Sequence, residues 1–415
     1  MTGKVSDDLE DRIRRYVLQP DGSGQCPYSA YAELRSADPI HRTPDGVWIV
    51  SQYDAYTTLL RDPRISRHQA ALKETGDTAG AREDIKEAVA AFPYMILNQD
   101  GEGHMRLRRF LRNVFLPSFV EAWRPRIEAV AKDVVDHALT LDTFDFVQEI
   151  GYPIPERIMS DLVGIPDSHR AIWAGWSKAM TRFSRAKGNN APDVAVVQDA
   201  MGKFHDYMKN FIAERKAAGT IDGDDMLSVL VRAREEKDFL TDEELVSNMV
   251  ALTQAAHETT ANLMSNTMSI LLQDTALMER VRADLDLLPR VVDETLRTES
   301  PSVSVLPRTP LEDIDYDGVI IPKGDRIIFL TAAANRDPAR FDRPEEFDID
   351  RENLDRHVGF GAGPHICIGQ HLGRLEVVTA LREILPRMPN LKLIEKPVFV
   401  TGRARHLERL MVRNA

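Results

Sequence analysis

Hydrophobic positions recur along most of the chain at the spacing of three to four that lines one face of a helix. The pattern breaks at Pro117, Pro166, Gly188, Gly219, Pro289 and Pro301. Two stretches alternate instead. "GVWIVSQYD", Gly46 to Asp54, reads as a short strand running into a helix, and "GVIIPKGDRIIFL", Gly318 to Leu330, reads as two strands joined by a Pro-Lys-Gly-Asp turn. The fold class this predicts is mainly α with small β-sheets.

The longest helical pattern starts at Thr241, where Asp242, Glu243 and Glu244 follow as in a capping box, and runs without proline or glycine to about Asp274. At 1.5 Å per residue that is about 48 Å, enough to cross a domain. Between Leu245 and Gln273 its only ionisable residues are His257 and Glu258, inside "QAAHETTAN". A carboxylate in the middle of a core helix is costly unless it is paired or hydrated. Thr259 and Thr260 can bond back to carbonyls one turn earlier and loosen the helix, and the small Ala255 and Ala256 would leave space for a ligand there. A buried helix carrying one tolerated polar turn is the plainer account of the same residues.

Composition narrows the classes. The chain has 415 residues, 43% of them hydrophobic, and no Ser/Gly-rich or Pro-rich linker, so one domain over residues 1–415 is expected, with residues 1–30 as a lead-in. The opening "MTGKVSDDLEDRIRR" is too charged for a secretory signal and no apolar run approaches the roughly 20 residues of a spanning helix, so a cytoplasmic protein without membrane attachment is expected. A net charge of -12 argues against nucleic acid as the main partner. The two cysteines, Cys26 and Cys367, are far apart and form no CxxC metal-site spacing.

Cys367 lies in "HVGFGAGPHICIGQHLGRLE", after three alternating glycines and before a helical pattern that begins at about Ile368. Gly359, Gly361 and Gly363 permit an irregular backbone, and a helix N-terminus favours a thiolate, which suits a soft metal. An inert buried cysteine would show the same local sequence.

"FGAGPHICIG" resembles the haem-binding loop of the cytochrome P-450 family, the haem-thiolate monooxygenases. "HMRLRR" at His104 to Arg109, "AAHETT" at Ala255 to Thr260, "ETLR" at Glu294 to Arg297, "LPRTP" around Arg308, "ANRDP" at Asn335 to Pro338 and "PEEFDIDR" at Pro344 to Arg351 resemble further motifs of that family, in its order. The resemblance implies a triangular helical prism around a buried haem b, with Cys367 as the axial ligand of the iron. It implies that His104, Arg108, Arg308 and His365 hold the haem propionates, with Ala255, Ala256, Phe360, Gly361 and Gly369 also against the cofactor. Glu258 and Thr259 would guide protons and ordered water. Glu294 and Arg297, three apart on a helix, can pair directly, with Arg351 as a third member of a buried network that supports the cysteine loop. Ala256, Gly373, Gly101 and Gly103 depart from the residues usual at those positions, which affects local geometry only.

By family position, Phe92, Tyr94 and Met95 lie over the haem, Trp173, Trp176, Met180 and Phe183 near the roof of the substrate pocket, and Val303, Ser304 and Val305 beside the haem edge. Such a lining suits a bulky, mostly apolar small molecule, a secondary metabolite, to be hydroxylated or oxidatively coupled. The resemblance also implies electrons from a ferredoxin or flavodoxin with its NAD(P)H-dependent reductase, and a monomer. Arg106, Arg109, Arg112 and Arg374 could form a basic docking patch on the acidic protein. A catalytically silent haem-binding or recruitment protein would share the fold but has no need of Glu258 and Thr259. A cysteine hydrolase with His365 as base explains none of the other motifs.

Overall fold

The computed structural model describes residues 5–18, 26–70, 92–185, 191–237, 240–401 and 404–414. The chain divides into two compact units built from non-consecutive segments: residues 1–65, 125–155 and 259–415 form the first, and 66–124 and 156–258 the second.

The first unit holds the sheets. Val47–Val50 is the middle strand of three, antiparallel to Ile40–Arg42 and parallel to Arg326–Phe329. Both flanks of that strand are satisfied, so its residues Trp48, Ile49 and Val50 are buried, as a central strand requires. The expected strands on either side of the Pro-Lys-Gly-Asp turn are present, but they pair apart: Val319–Ile321 forms a hairpin with Ile314–Tyr316, while Arg326–Phe329 joins the three-stranded sheet. A second three-stranded sheet sets Met411–Asn414 between Thr143–Asp145 and Leu391–Leu393, both antiparallel to it. One apolar core packs Trp48, Val50, Tyr56 and Phe329 together, and another joins Leu9, Ile13, Tyr31 and Leu34 to Val303 and Leu330.

The second unit is helical. It contains Gly101–Leu111, Asp167–Arg185, Ala191–Ala217 and Met226–Lys237, together with the first half of the long helix Asp242–Gln273. Asp167–Arg185 and Ala191–Ala217 meet through aromatic rings, with Trp176 5.5 Å from Tyr207 and Tyr207 stacked on Phe211 at 5.7 Å. Among the described residues no helix is long and apolar enough to cross a membrane.

The capping box at the start of the long helix is formed in both directions. The Glu244 amide donates to the Thr241 hydroxyl at 3.1 Å, and the Thr241 amide donates to the Glu244 carboxylate at 2.9 Å. The helix then stays α-helical to Gln273 through the polar turn at His257 to Thr260.

Candidate functional site

The cysteine loop belongs to the first unit and is fixed by its glycines and by charge. Gly361 and Gly363 have φ of 79° and 72°, the left-handed region that costs other residues. A methyl group on Gly359 would sit 2.7 Å from the carbonyl oxygen of Leu296, and one on Gly363 would press on the carbonyl oxygen of Leu60. The amide of Cys367 donates to the carbonyl of Phe360 at 2.9 Å, closing the loop, and the Cys367 side chain is exposed. The following helix is Gln370–Arg387 with Gly369 at its N-cap, so it starts about two residues later than its apolar pattern suggests. The Cys367 amide is already committed to Phe360, and two residues, Ile368 and Gly369, separate the cysteine from the helix.

The helix Leu288–Thr298 supports this loop through Glu294 and Arg297, both wholly buried. Their pairing is bidentate, with two N–H donors of Arg297 each 2.8 Å from a Glu294 oxygen. The remaining Arg297 donors reach the carbonyls of Asn335 at 3.0 Å, Pro344 at 2.8 Å and Glu346 at 2.8 Å. Arg351 is the third member, its Nε 3.5 Å from Glu294, and it also donates to the carbonyls of Asp342, Arg343 and Glu346. The link to the cysteine loop is Asn335, whose side chain accepts from the Val358 amide at 2.6 Å and donates to the Leu296 carbonyl at 3.2 Å.

A second anchor is absent from the motifs. Asp293 lies 2.7 Å from Arg374 and 3.4 Å from His357, and the Arg374 guanidinium sits 4.5 Å over the Phe360 ring. Burial alone would raise the Asp293 carboxyl, but His357 and Arg374 hold it below its usual value. Arg374, expected in a basic patch, is thus paired with Asp293 and stacked on the loop's Phe360.

Arg308 is also in this unit. It is buried, its backbone pairs with Ile327 in both directions at 2.9 and 2.8 Å, and its guanidinium donates to the Leu306 carbonyl at 2.6 Å. His365 ends the short 3-10 turn Gly363–His365 beside the cysteine. Of the three residues assigned beside the haem edge, Val303 is instead taken up by the unit's apolar core. Ser304 and Val305 stay half-buried, and a methyl on Gly361 would be 3.6 Å from Val305.

In the second unit, the helix Gly101–Leu111 carries His104 and Arg108 one turn apart on one face, buried and half-buried. Arg106 pairs with the buried Glu244 of the long helix, while Arg109 and Arg112 of the expected patch are exposed. Phe92 is half-buried, Tyr94 exposed and Met95 buried. That segment is held by Asn248, whose side chain accepts from the Ile96 amide at 2.7 Å and donates to the Tyr94 carbonyl at 3.0 Å. Met180 is in the helix Asp167–Arg185, but its side chain, like that of Phe183, lies outside the described residues.

The middle of the long helix has an open stripe. Ala255 and Thr259, one turn apart, are exposed, Ala256 and Glu258 are half-buried, and His257 and Thr260 are buried. In the first unit an accessible thiol with an Arg and a His, and in the second a His and an Arg one turn apart beside a small-residue helix stripe, are each donor types that suit an acidic macrocycle with a soft metal at its centre. The chemistry of the donor set thus agrees with haem.

Comparison with known proteins identifies the family. The family model for cytochrome P-450 matches residues 34–389. The chain is 37% identical over 378 residues to the cytochrome P-450 monooxygenase PikC of Streptomyces venezuelae, covering 89% of this chain and 86% of that protein. It is 35% identical to the 20-oxo-5-O-mycaminosyltylactone 23-monooxygenase of Streptomyces fradiae, over 94% of this chain and 89% of the relative. Among solved structures, the bacillaene polyketide synthase cytochrome P-450 PksS of Bacillus subtilis superposes with a TM-score of 0.83 at 30% identity, covering 94% of this chain and 97% of that one. With motifs, fold and relatives in agreement, the chain belongs to the cytochrome P-450 family, as a haem b monooxygenase.

Proposed function

We propose that this monooxygenase inserts oxygen into, or oxidatively couples, a mostly apolar secondary metabolite, with electrons supplied by a ferredoxin or flavodoxin and its reductase. The observation that carries the reading is the exposed Cys367 thiol in a loop fixed by glycine contacts and a buried charge network. Haem b would be held by the Cys367 thiolate and would supply dioxygen activation when bound. His104, Arg108, Arg308 and His365 bind the two propionates as charge-assisted donors, and Phe360, Gly361 and Gly369 lie against the macrocycle. The Thr259 hydroxyl orients a water molecule, and the Glu258 carboxyl takes a proton from solvent and passes it on through that water. Ala255 and Ala256 keep the adjoining surface small. Residues 1–415 act together as one catalytic domain.

One relative is named for a mycaminosyltylactone and one solved neighbour for a bacillaene polyketide synthase, and a bulky product of that kind suits Tyr94, Trp176, Ser304 and Val305 as contacts. Arg109 and Arg112, with the exposed Met105 on the same helix, support docking of an acidic electron donor, so reduction slows as salt rises.

The test is Cys367→Ser, read by the absorption spectrum of the reduced, carbon monoxide-bound protein. The long-wavelength Soret band disappears in this variant and is unchanged in Cys26→Ser. Retention of the band in Cys367→Ser removes the axial assignment.

A further inference from the structure

His257 stands beside Glu258 in the polar turn of the long helix, and the roles assigned so far leave it unused. It is 2% exposed, so a buried imidazole occupies the position immediately before the proton carrier. Two other helices meet on it. From Asp167–Arg185, Trp173 stacks on the imidazole with ring centroids 6.5 Å apart and planes 27° from parallel. From Pro153–Val163, a Glu156 oxygen lies 3.8 Å from His257 Nε2. Trp173 is itself 1% exposed, its indole N–H has no acceptor among the described residues, and its ring meets Phe204 edge-on at 6.4 Å. Packing therefore fixes it.

This geometry has a mechanical consequence. A stiff, fully buried indole transmits displacement of its helix to whatever it stacks on, because close-packed interiors yield little. The Glu156 carboxylate near Nε2 limits where the imidazole can go and keeps 30% of its side chain exposed, so the contact reaches solvent. The helix that carries Trp173 also carries Trp176 and Met180, assigned to the substrate side.

We propose that His257 is a positioning residue: held between Trp173 and Glu156, it ties the orientation of the Glu258–Thr259 turn to the substrate-side helix Asp167–Arg185. A molecule that presses on that helix then sets the proton relay, and one that does not leaves it loose. The proposal rests on the monooxygenase reading and adds a coupling that the reading does not require.

The experiment uses the haem-loaded full chain and 4-phenylimidazole, a bulky apolar probe whose binding shifts the haem spectrum. The variants are Glu156→Gln, His257→Phe, the double variant, Trp173→Leu and His257→Gln. Glu156→Gln, His257→Phe and Trp173→Leu each weaken the probe about 5-fold or more. The double variant is no weaker than the worse single one, since both remove the same contact. Hydrogen peroxide released per electron rises in parallel, and His257→Gln, which keeps a polar group facing Glu156, recovers most of both readouts. Additive effects in the double variant, or His257→Phe with unchanged probe affinity and peroxide release, would overturn the proposal. A missing carbon monoxide band in the parent protein would defeat the haem reading itself, whereas a normal band with indifferent variants defeats only the coupling.

Discussion

The cysteine loop and the central turn of the long helix, to which the proposed function gives the two halves of the chemistry, are built in opposite ways. Around Cys367 almost every degree of freedom is removed: glycines lie against backbone carbonyls, Glu294 and Arg297 are wholly buried, and Asp293, His357 and Arg374 close a second set of contacts on Phe360. At Ala255 to Thr259 the backbone is an ordinary α-helix with side chains that are small or polar, two of them exposed. A metal ligand has one correct position, so strain and buried charge are tolerable there. Proton delivery needs water and movement, and a rigid apolar lining would stop it.

If that contrast is right, substitutions in the first region damage assembly and those in the second damage coupling. The largest effect belongs to Arg297→Leu, which leaves the Glu294 carboxylate buried without its bidentate partner. A loss of about 3–5 kcal/mol follows, read as a lower urea midpoint together with poor haem incorporation. Gly363→Ala comes next. The positive φ and the contact with the Leu60 carbonyl cost about 1–3 kcal/mol, so its melting temperature falls and part of its carbon monoxide complex loses the thiolate band. Thr259→Ala inverts the pattern: the residue is exposed, so stability changes by no more than about 0.5 kcal/mol, while peroxide release rises and product per electron falls. Unchanged coupling in this variant would take Thr259 out of the relay. Smallest is Gly373→Ala, on the helix after the cysteine. Its new methyl would meet only the Thr260 hydroxyl at 3.7 Å, an ordinary contact, and it stabilises by about 0.4–1 kcal/mol, visible as a small rise in melting temperature with activity intact.

Local chemistry made much of this legible in the sequence. The capping box at Thr241 and Glu244, the Glu294–Arg297 pair and the strand before Asp54 are all short-range patterns, and each appears in the structure at its expected place. What escaped were contacts between segments distant in sequence. Asp293 with His357, Asn335 with Val358, and Asn248 with Ile96 leave no periodic trace, because an isolated polar residue reads equally well as surface. The same blindness made Arg106 and Arg374 look available: their carboxylate partners, Glu244 and Asp293, are fixed by tertiary packing. The helix after Cys367 was read as beginning early because Ile368 fits the apolar period, whereas the backbone bond from Cys367 to Phe360 keeps the chain out of the helix until Gly369.

The Asn335 relay bears on biogenesis. Every partner in the chain from Arg297 through Asn335 to Val358 is a protein atom, so the conformational entropy of the cysteine loop is surrendered while the polypeptide folds. In the proposed role of Cys367 as the haem ligand, part of the ordering that binding requires would be supplied by protein contacts alone. An apoprotein prepared without haem would then keep the Val358 amide protected from hydrogen exchange, since its acceptor is the Asn335 side chain.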